Sequence, residues 1–224
     1  MKQNFQVTIK KHMKQLVFIT LFLFIPLSAV CRETHEIPDQ ATVKAEVFNR
    51  IKEAASGVKT LKGEFAQEKH LEILENSPVS RGKLFYRKPD CLRWEVYEPV
   101  SMGFIVNGDK GKRWSGPSES LQTFDLKEAP VVKIISDQVF AWAGADFERL
   151  EARYDITIME ETPVIIKLIP LSVTEKKYLD YIRLIFSADE NYVDAIEIHE
   201  AGGDYTQINF FNMELNEAIA EDIF

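Results

Sequence analysis

The four histidines are the first place to look for chemistry, and none sits where chemistry needs it. His12, His35, His70 and His199 are not paired with another His or a Cys at the spacing of a metal site. No metal and no other cofactor is expected. His199-Glu200 falls at the end of a strand pattern, not on a zinc-binding helix. A serine nucleophile on a strand-to-helix elbow needs Gly-x-Ser-x-Gly, and Gly116-Pro117-Ser118-Glu119-Ser120 lacks the second glycine. Gly103, Gly108 and Gly111 have no helix after them, so they belong to hairpins and not to a dinucleotide loop. The acid pairs Glu160-Glu161 and Asp189-Glu190 fall in solvated turns. Cys91 sits in a strand pattern beside Leu92 and reads as a small buried residue. Taken together, these residue types point away from an enzyme.

What the chain offers instead is apolar surface at regular spacing. Residues Gly82 to Pro99 read G-K-L-F-Y-R-K-P-D-C-L-R-W-E-V-Y-E-P. They form two strands hinged at Lys88-Pro89. Period-2 spacing places Leu84, Tyr86, Leu92, Trp94 and Val96 on one face of a sheet. Aromatic and aliphatic side chains are mixed there with no catalytic group between them, which suits holding something apolar. Register matters, because a slip of one residue would turn the whole set to the other face.

The elements around this face are legible in outline. Ala41 to Ser56 is a helix closed by Gly57. Thr60 to Leu74 alternates as one long strand, and Glu75 to Pro78 is a turn. Strands follow near 79–88 and 91–98. Asn107-Gly108 supplies the turn of a hairpin that ends at Trp114, and 121–126 is a short strand. Pro130 to Ala143 is a second helix, apolar nearly all round, which must be covered on most sides. Five more strands, 153–160, 164–170, 178–187, 192–200 and 204–213, are joined by short turns and predict an antiparallel meander. The fold class is α+β: a single domain with a strongly curved antiparallel sheet of about 10–11 strands. Two modest helices are too few to fill the concave side of such a sheet, so an apolar cavity is expected. Ile134, Ile135 and Phe140 of the second helix are the candidates to cap it.

The chain begins like an exported protein. Lys10, Lys11 and Lys14 precede the apolar run Leu16 to Ile25, and Pro26-Leu27-Ser28-Ala29 follows. This is the layout of a signal peptide over residues 1–31, with either Met1 or Met13 as its start. The run is shorter than the roughly 20 residues that span a bilayer. Val30 is branched where a lipidated signal carries a small residue, which argues against an anchor at Cys31. Residues 32–39 read as a flexible leader and 40–224 as the domain. Without the four lysines of residues 1–31, 23 basic residues face 35 acidic ones, a formal charge of −12. That balance disfavours nucleic acid and anionic headgroups and favours a monomer that stays off membranes.

The order of several short motifs resembles the LolA-type outer-membrane lipoprotein carriers. They are Phe65-x-Gln67, Gly82-x-Leu84, Lys88-Pro89, Arg93-Trp94-Glu95 and Pro99, then Ile105-Val106-x-Gly108 and Trp114, then Asp204-x-Thr206-x-Ile208-x-Phe210 and Asn216. The resemblance spans about residues 41 to 216. It implies an incomplete β-barrel with a helical lid over an apolar cavity walled by Leu84, Tyr86, Leu92, Trp94, Val96, Ile134, Ile135 and Phe140. It implies a periplasmic carrier that takes acylated lipoproteins from an inner-membrane ABC-type releasing complex to an outer-membrane acceptor. A carrier of another acylated molecule, a glycolipid or a polyene lipid, is the alternative. Two departures stand out. Lys88 occupies the place where the family often has an Arg that latches the lid, so a weaker or different latch is expected. The family's Phe/Pro-containing tail is not matched after Phe224.

Overall fold

The computed structural model describes residues 39–116 and 121–224. The segment expected to be a signal peptide (1–31) and most of the expected leader lie outside the described residues. Every element and the whole core fall in one unit, residues 38–224.

Helix α1 (Gln40–Ser56) starts where the Asp39 carboxylate accepts a hydrogen bond from Thr42 N at 2.7 Å. It buries Val47, Phe48, Ile51 and Ala55 along one stripe. Eleven strands then form a single antiparallel sheet: β1 (Thr60–His70), β2 (Val79–Arg87), β3 (Cys91–Glu98), β4 (Met102–Asn107), β5 (Lys110–Ser115), β6 (Gln122–Asp125), β7 (Tyr154–Glu161), β8 (Val164–Pro170), β9 (Leu179–Phe186), β10 (Val193–Glu200) and β11 (Tyr205–Leu215). The spatial order is β6-β5-β4-β3-β2-β1-β11-β10-β9-β8-β7. The sheet is therefore two meanders joined down the middle by the first and last strands. The connection between edge strands β6 and β7 carries helices α2 (Pro130–Ala143) and α3 (Phe147–Glu151) across one face.

The sheet curls until its two wings share one core. Leu84, Leu92 and Phe104 of one wing belong to the same buried cluster as Ile156, Ile166 and Leu184 of the other, together with α1 and α2. A flat sheet of this width could not bring them together. The concave face alternates with the convex one along each strand; β9 runs half-buried, exposed, half-buried, buried, and then alternates to its end.

Two sequence expectations change. The long first strand stops at His70; Leu71 to Leu74 turn back, with Leu74 N bonded to Leu71 O and Glu72 N to the Asp204 carboxylate. The alternation ran on past the point where β2 supplies partners, so Ile73 ends 89 % exposed. The five-residue α3 was not foreseen. It is started by Asp146, whose carboxylate accepts from Arg149 N.

Candidate functional site

The concave face is built from the strand positions that period-2 spacing selects. Cross-strand register sets Leu84 beside Trp94, Tyr86 beside Leu92 and Trp94 beside Phe104. Phe65 on β1 lies in line with Gly82, and its ring fills the space above that glycine: a Cβ there would stand 2.2 Å from the ring. The Gly82 of the motif is thus a seat for Phe65. Phe65, Trp94 and Phe210 form an aromatic trio, with centroids 4.5 Å apart for Phe65 and Trp94 and 6.1 Å for Trp94 and Phe210.

Above this floor lies an apolar hollow of about 210 Å³. Trp94, Phe104, Ile196, Ile198 and Ile208 supply the sheet side, with Gln67 at one edge. Ile135, Gln138, Val139 and Trp142 of α2 supply the roof. A narrow crevice of about 30 Å³ continues between Leu61, Leu84, Trp94, Phe210 and Trp142. A wider groove of about 670 Å³ lies away from this hollow, around Phe224, and is lined by Lys110, Lys112, Asp125 and Glu128. Its mixed charges do not suit a hydrocarbon.

The structure distributes the predicted wall residues as follows. Trp94 and Ile135 line the hollow, and Leu84 lines the crevice. Tyr86 and Leu92 are buried beneath, at 2 % and 0 % exposure. Val96 is half-buried and packs on the core. Phe140 sits over Tyr86 with centroids 6.1 Å apart. Ile134 turns outward. The prediction did not include Gln67, Phe104, Val139, Trp142, Ile196, Ile198 and Ile208. The last three follow from the pairing of β1 with β11, which places β11 and then β10 on the far side of β1 from β2 and β3. Period 2 within each strand was visible; the seam that joins the wings was not.

Electrostatics here are those of a place that avoids charge. Burial pushes the Tyr86 phenol up to about 12. The Trp142 indole N–H is buried and has no hydrogen-bond partner. Leaving such a donor unpaired costs about 1–3 kcal/mol. Lys88 donates from Nζ to Ala55 O at 2.9 Å, in the last turn of α1 and not in α2. Burial pushes its ammonium below the ordinary lysine value. Among the described residues, the α2 side chains bond within α2 and to α3: Asp137 accepts from Lys133 at 2.6 Å and from Arg149 at 2.7 Å, and Ser136 donates to Lys133 O. Among the described residues, α2 is therefore held to the sheet by apolar contact. No group of His, Cys, Asp and Glu able to hold a metal is found among the described residues.

Other motif residues have structural work. The Asn216 side chain accepts from Lys59 N at 2.7 Å and donates to Gly57 O at 3.0 Å, pinning the corner between α1 and β1. On the convex side Phe224 and Ile223 pack with Cys91 and Ile105. Arg87 holds Glu221 at 2.8 Å and stacks over the Phe224 ring, and Arg93 donates to Ile223 O.

The profile of the family described as outer membrane lipoprotein carrier protein LolA matches residues 56–224. Solved structures similar to this chain include a LolA superfamily protein from Nitrosomonas europaea, at 9 % identity over 80 % of this chain and 96 % of that one, TM-score 0.41. The Mycobacterium tuberculosis lipoprotein LppX aligns at 11 % identity over 79 % and 98 %, TM-score 0.44. MucB of Pseudomonas aeruginosa, in its complex with MucA, aligns at 16 % identity over 80 % of this chain but 59 % of its own, TM-score 0.47. No curated protein matches the sequence.

Proposed function

The chain belongs to the LolA family of outer membrane lipoprotein carrier proteins, and from that premise we propose that it is a periplasmic carrier. It binds the acyl chains of lipoproteins in the hollow beneath α2 and shuttles them from an inner-membrane ABC-type releasing complex to an outer-membrane acceptor. The observation that carries this reading is the hollow itself, an apolar space roofed by a helix that rests on the sheet through apolar contact.

In the closed form the hollow is smaller than the roughly 300–1,000 Å³ typical of ligand pockets. Cargo therefore enters as α2 lifts. Opening exposes Val139 and Trp142, at roughly 1.5–3 kcal/mol for each large side chain. A buried acyl chain returns roughly 0.8 kcal/mol per methylene. The two nearly offset for a chain that is partly enclosed, which keeps release within reach. The unpaired Trp142 N–H tilts the balance further: it destabilises the closed form and gives an ester or amide carbonyl of the cargo a donor to meet. The latch at Lys88 acts on α1, so the tie that α2 breaks is the Asp137–Arg149 pair.

Ile135→Glu tests this reading. Ile135 lines the hollow yet is 39 % exposed, so the change spares the fold. It is expected to weaken binding of a fluorescent fatty acid at least tenfold with an unchanged melting temperature. Equal binding by the variant and the wild type would refute the site. Release of lipoproteins from spheroplasts by the purified protein tests the carrier role, and native mass spectrometry showing a free glycolipid or polyene lipid instead would favour the alternative cargo.

A further inference from the structure

We infer that one rim of the sheet is a lipid-contacting edge, the side on which the carrier touches a membrane surface. Antiparallel pairing sends the β1–β2, β3–β4, β8–β9 and β10–β11 connections to this rim and the β2–β3, β4–β5, β7–β8 and β9–β10 connections to the other. The two rims differ in chemistry. On the first, Ile73 and Leu74 project from one loop, Val173 and Tyr178 from a second, and Val100 from a third with Met102 at the start of β4 beside it, all exposed and reaching 89 % at Ile73 and 77 % at Val173. On the second, the turns carry Asp90, Asp109, Glu161, Asp189 and Glu190, with Lys88 and Lys110 beside them and Arg50 paired to Glu190 and Glu161.

The shape and charge of the apolar rim select lipid over a protein partner. Its side chains stand on separate loop tips and make no groove that a folded partner would fill. Singly projecting apolar tips from several loops suit a fluid interface. Lys176 and Lys177 precede Tyr178, the basic-plus-aromatic pairing that sits at headgroup depth. Three carboxylates on this rim are paired with a cation, Glu200 with Lys69 at 3.0 Å, Glu175 with Arg153 at 2.9 Å and Glu98 with Arg81 at 3.7 Å, while Glu72, Glu75 and Asp204 stand beside them. Carboxylates outnumber cations more heavily in the turns at the far end than on the rim that carries Lys176 and Lys177, which favours approach of an anionic surface by the apolar rim. The chain's net negative charge therefore does not keep it off membranes, because the charge is unevenly placed.

The hollow lies close to the same rim. Gln67, Phe104, Ile198 and Ile208 in its wall each lie within three residues of a strand end at this rim. A chain leaving a bilayer there would pass from lipid to hollow with little exposure to water. The inference goes beyond the carrier reading: the rim would hold lipid whether or not the hollow takes an acyl chain.

The test uses residues 38–224, which contain every described element, with vesicles of phosphatidylcholine alone and with added phosphatidylglycerol. The wild type is expected to co-float with both, more with the anionic vesicles. The pair Ile73→Asp and Val173→Asp should lower the bound fraction at least tenfold while fatty-acid binding is unchanged. Met159→Asp, also at an exposed apolar side chain but off this rim, should co-float like the wild type. A second readout places an environment-sensitive dye at Val173→Cys, which labels selectively because Cys91 is buried; its emission should shift to the blue on vesicles, and a dye at Met159→Cys should not respond. Absence of wild-type flotation, equal flotation of the rim variants, or a silent dye at position 173 would each overturn the inference; the first would turn the rim over to a protein partner.

Discussion

Tyr86 gives the sharpest test of which way the β2–β3 face points. It is 2 % exposed, and burial pushes its phenol from 10.0 up to about 12. In the unfolded chain the phenol ionises at its ordinary value; in the folded chain it keeps its proton until about pH 12. Between these values the folded state holds a proton that the unfolded state has lost. Stability from this group is therefore full below pH 10 and falls as pH rises towards 12. Two units are worth at most roughly 2–3 kcal/mol, and residual solvent screening reduces that, so about 1 kcal/mol is lost by pH 11. Tyr86→Phe removes the titration and leaves the ring. Urea unfolding of both proteins at pH 8 and pH 11 isolates the effect, since Lys88 and Tyr154 titrate alike in each. The wild type should lose about 1 kcal/mol more than the variant. Equal losses would show that the hydroxyl is in water, and the assignment of the concave face would fall.

Other perturbations read the same architecture. Gly82→Val would place a Cβ 2.2 Å from both the Phe65 ring and the backbone oxygen of Glu95; a loss of about 3 kcal/mol, seen as a lower melting temperature, is expected. Leu92→Glu puts a carboxylate at a position of 0 % exposure and should unfold the protein at neutral pH, with partial recovery as acid neutralises the group, followed by circular dichroism. Asn216 has φ 60° and two side-chain bonds at the α1–β1 corner. Asn216→Ala should cost about 1–3 kcal/mol in urea unfolding and Asn216→Gly less, because glycine keeps the backbone conformation while losing the bonds.

Much of this was readable from residue order because it is local. The alternation at 84, 86, 92, 94 and 96 set the facing of β2 and β3 without knowledge of their neighbours, and Leu84, Tyr86 and Leu92 are buried as that spacing requires. The apolar girth of 130–143 predicted a helix covered on most sides; α2 has those bounds, but its first half leaves Val131, Ile134 and Ile135 exposed and only its second half is buried. The hidden parts depend on distant contacts. Leu71 and Ile73 continue the alternation of β1, yet β2 starts only at Val79, so pairing decides where the strand ends. Ile198 and Ile208 look like ordinary strand residues until β11 is seen beside β1. Ile134 and Ile135 are equally apolar, adjacent and both exposed on one side; only helix rotation brings Ile135, and not Ile134, to the edge of the hollow.

The central seam has a consequence for how the molecule is made. Phe65 pairs with Phe210, so nearly the whole described chain must be threaded before the middle of the sheet exists. The hairpins of each wing assemble from near neighbours, but the closure between them is a long loop whose entropy is lost before any contact rewards it. Slow refolding, with the bare margin of β1 open to stray pairing, follows from this topology. A circular permutant that links Phe224 through a flexible linker to the start of α1, and opens the chain between α2 and α3, would bring those two strands close in sequence. It should reach its native state faster at similar final stability.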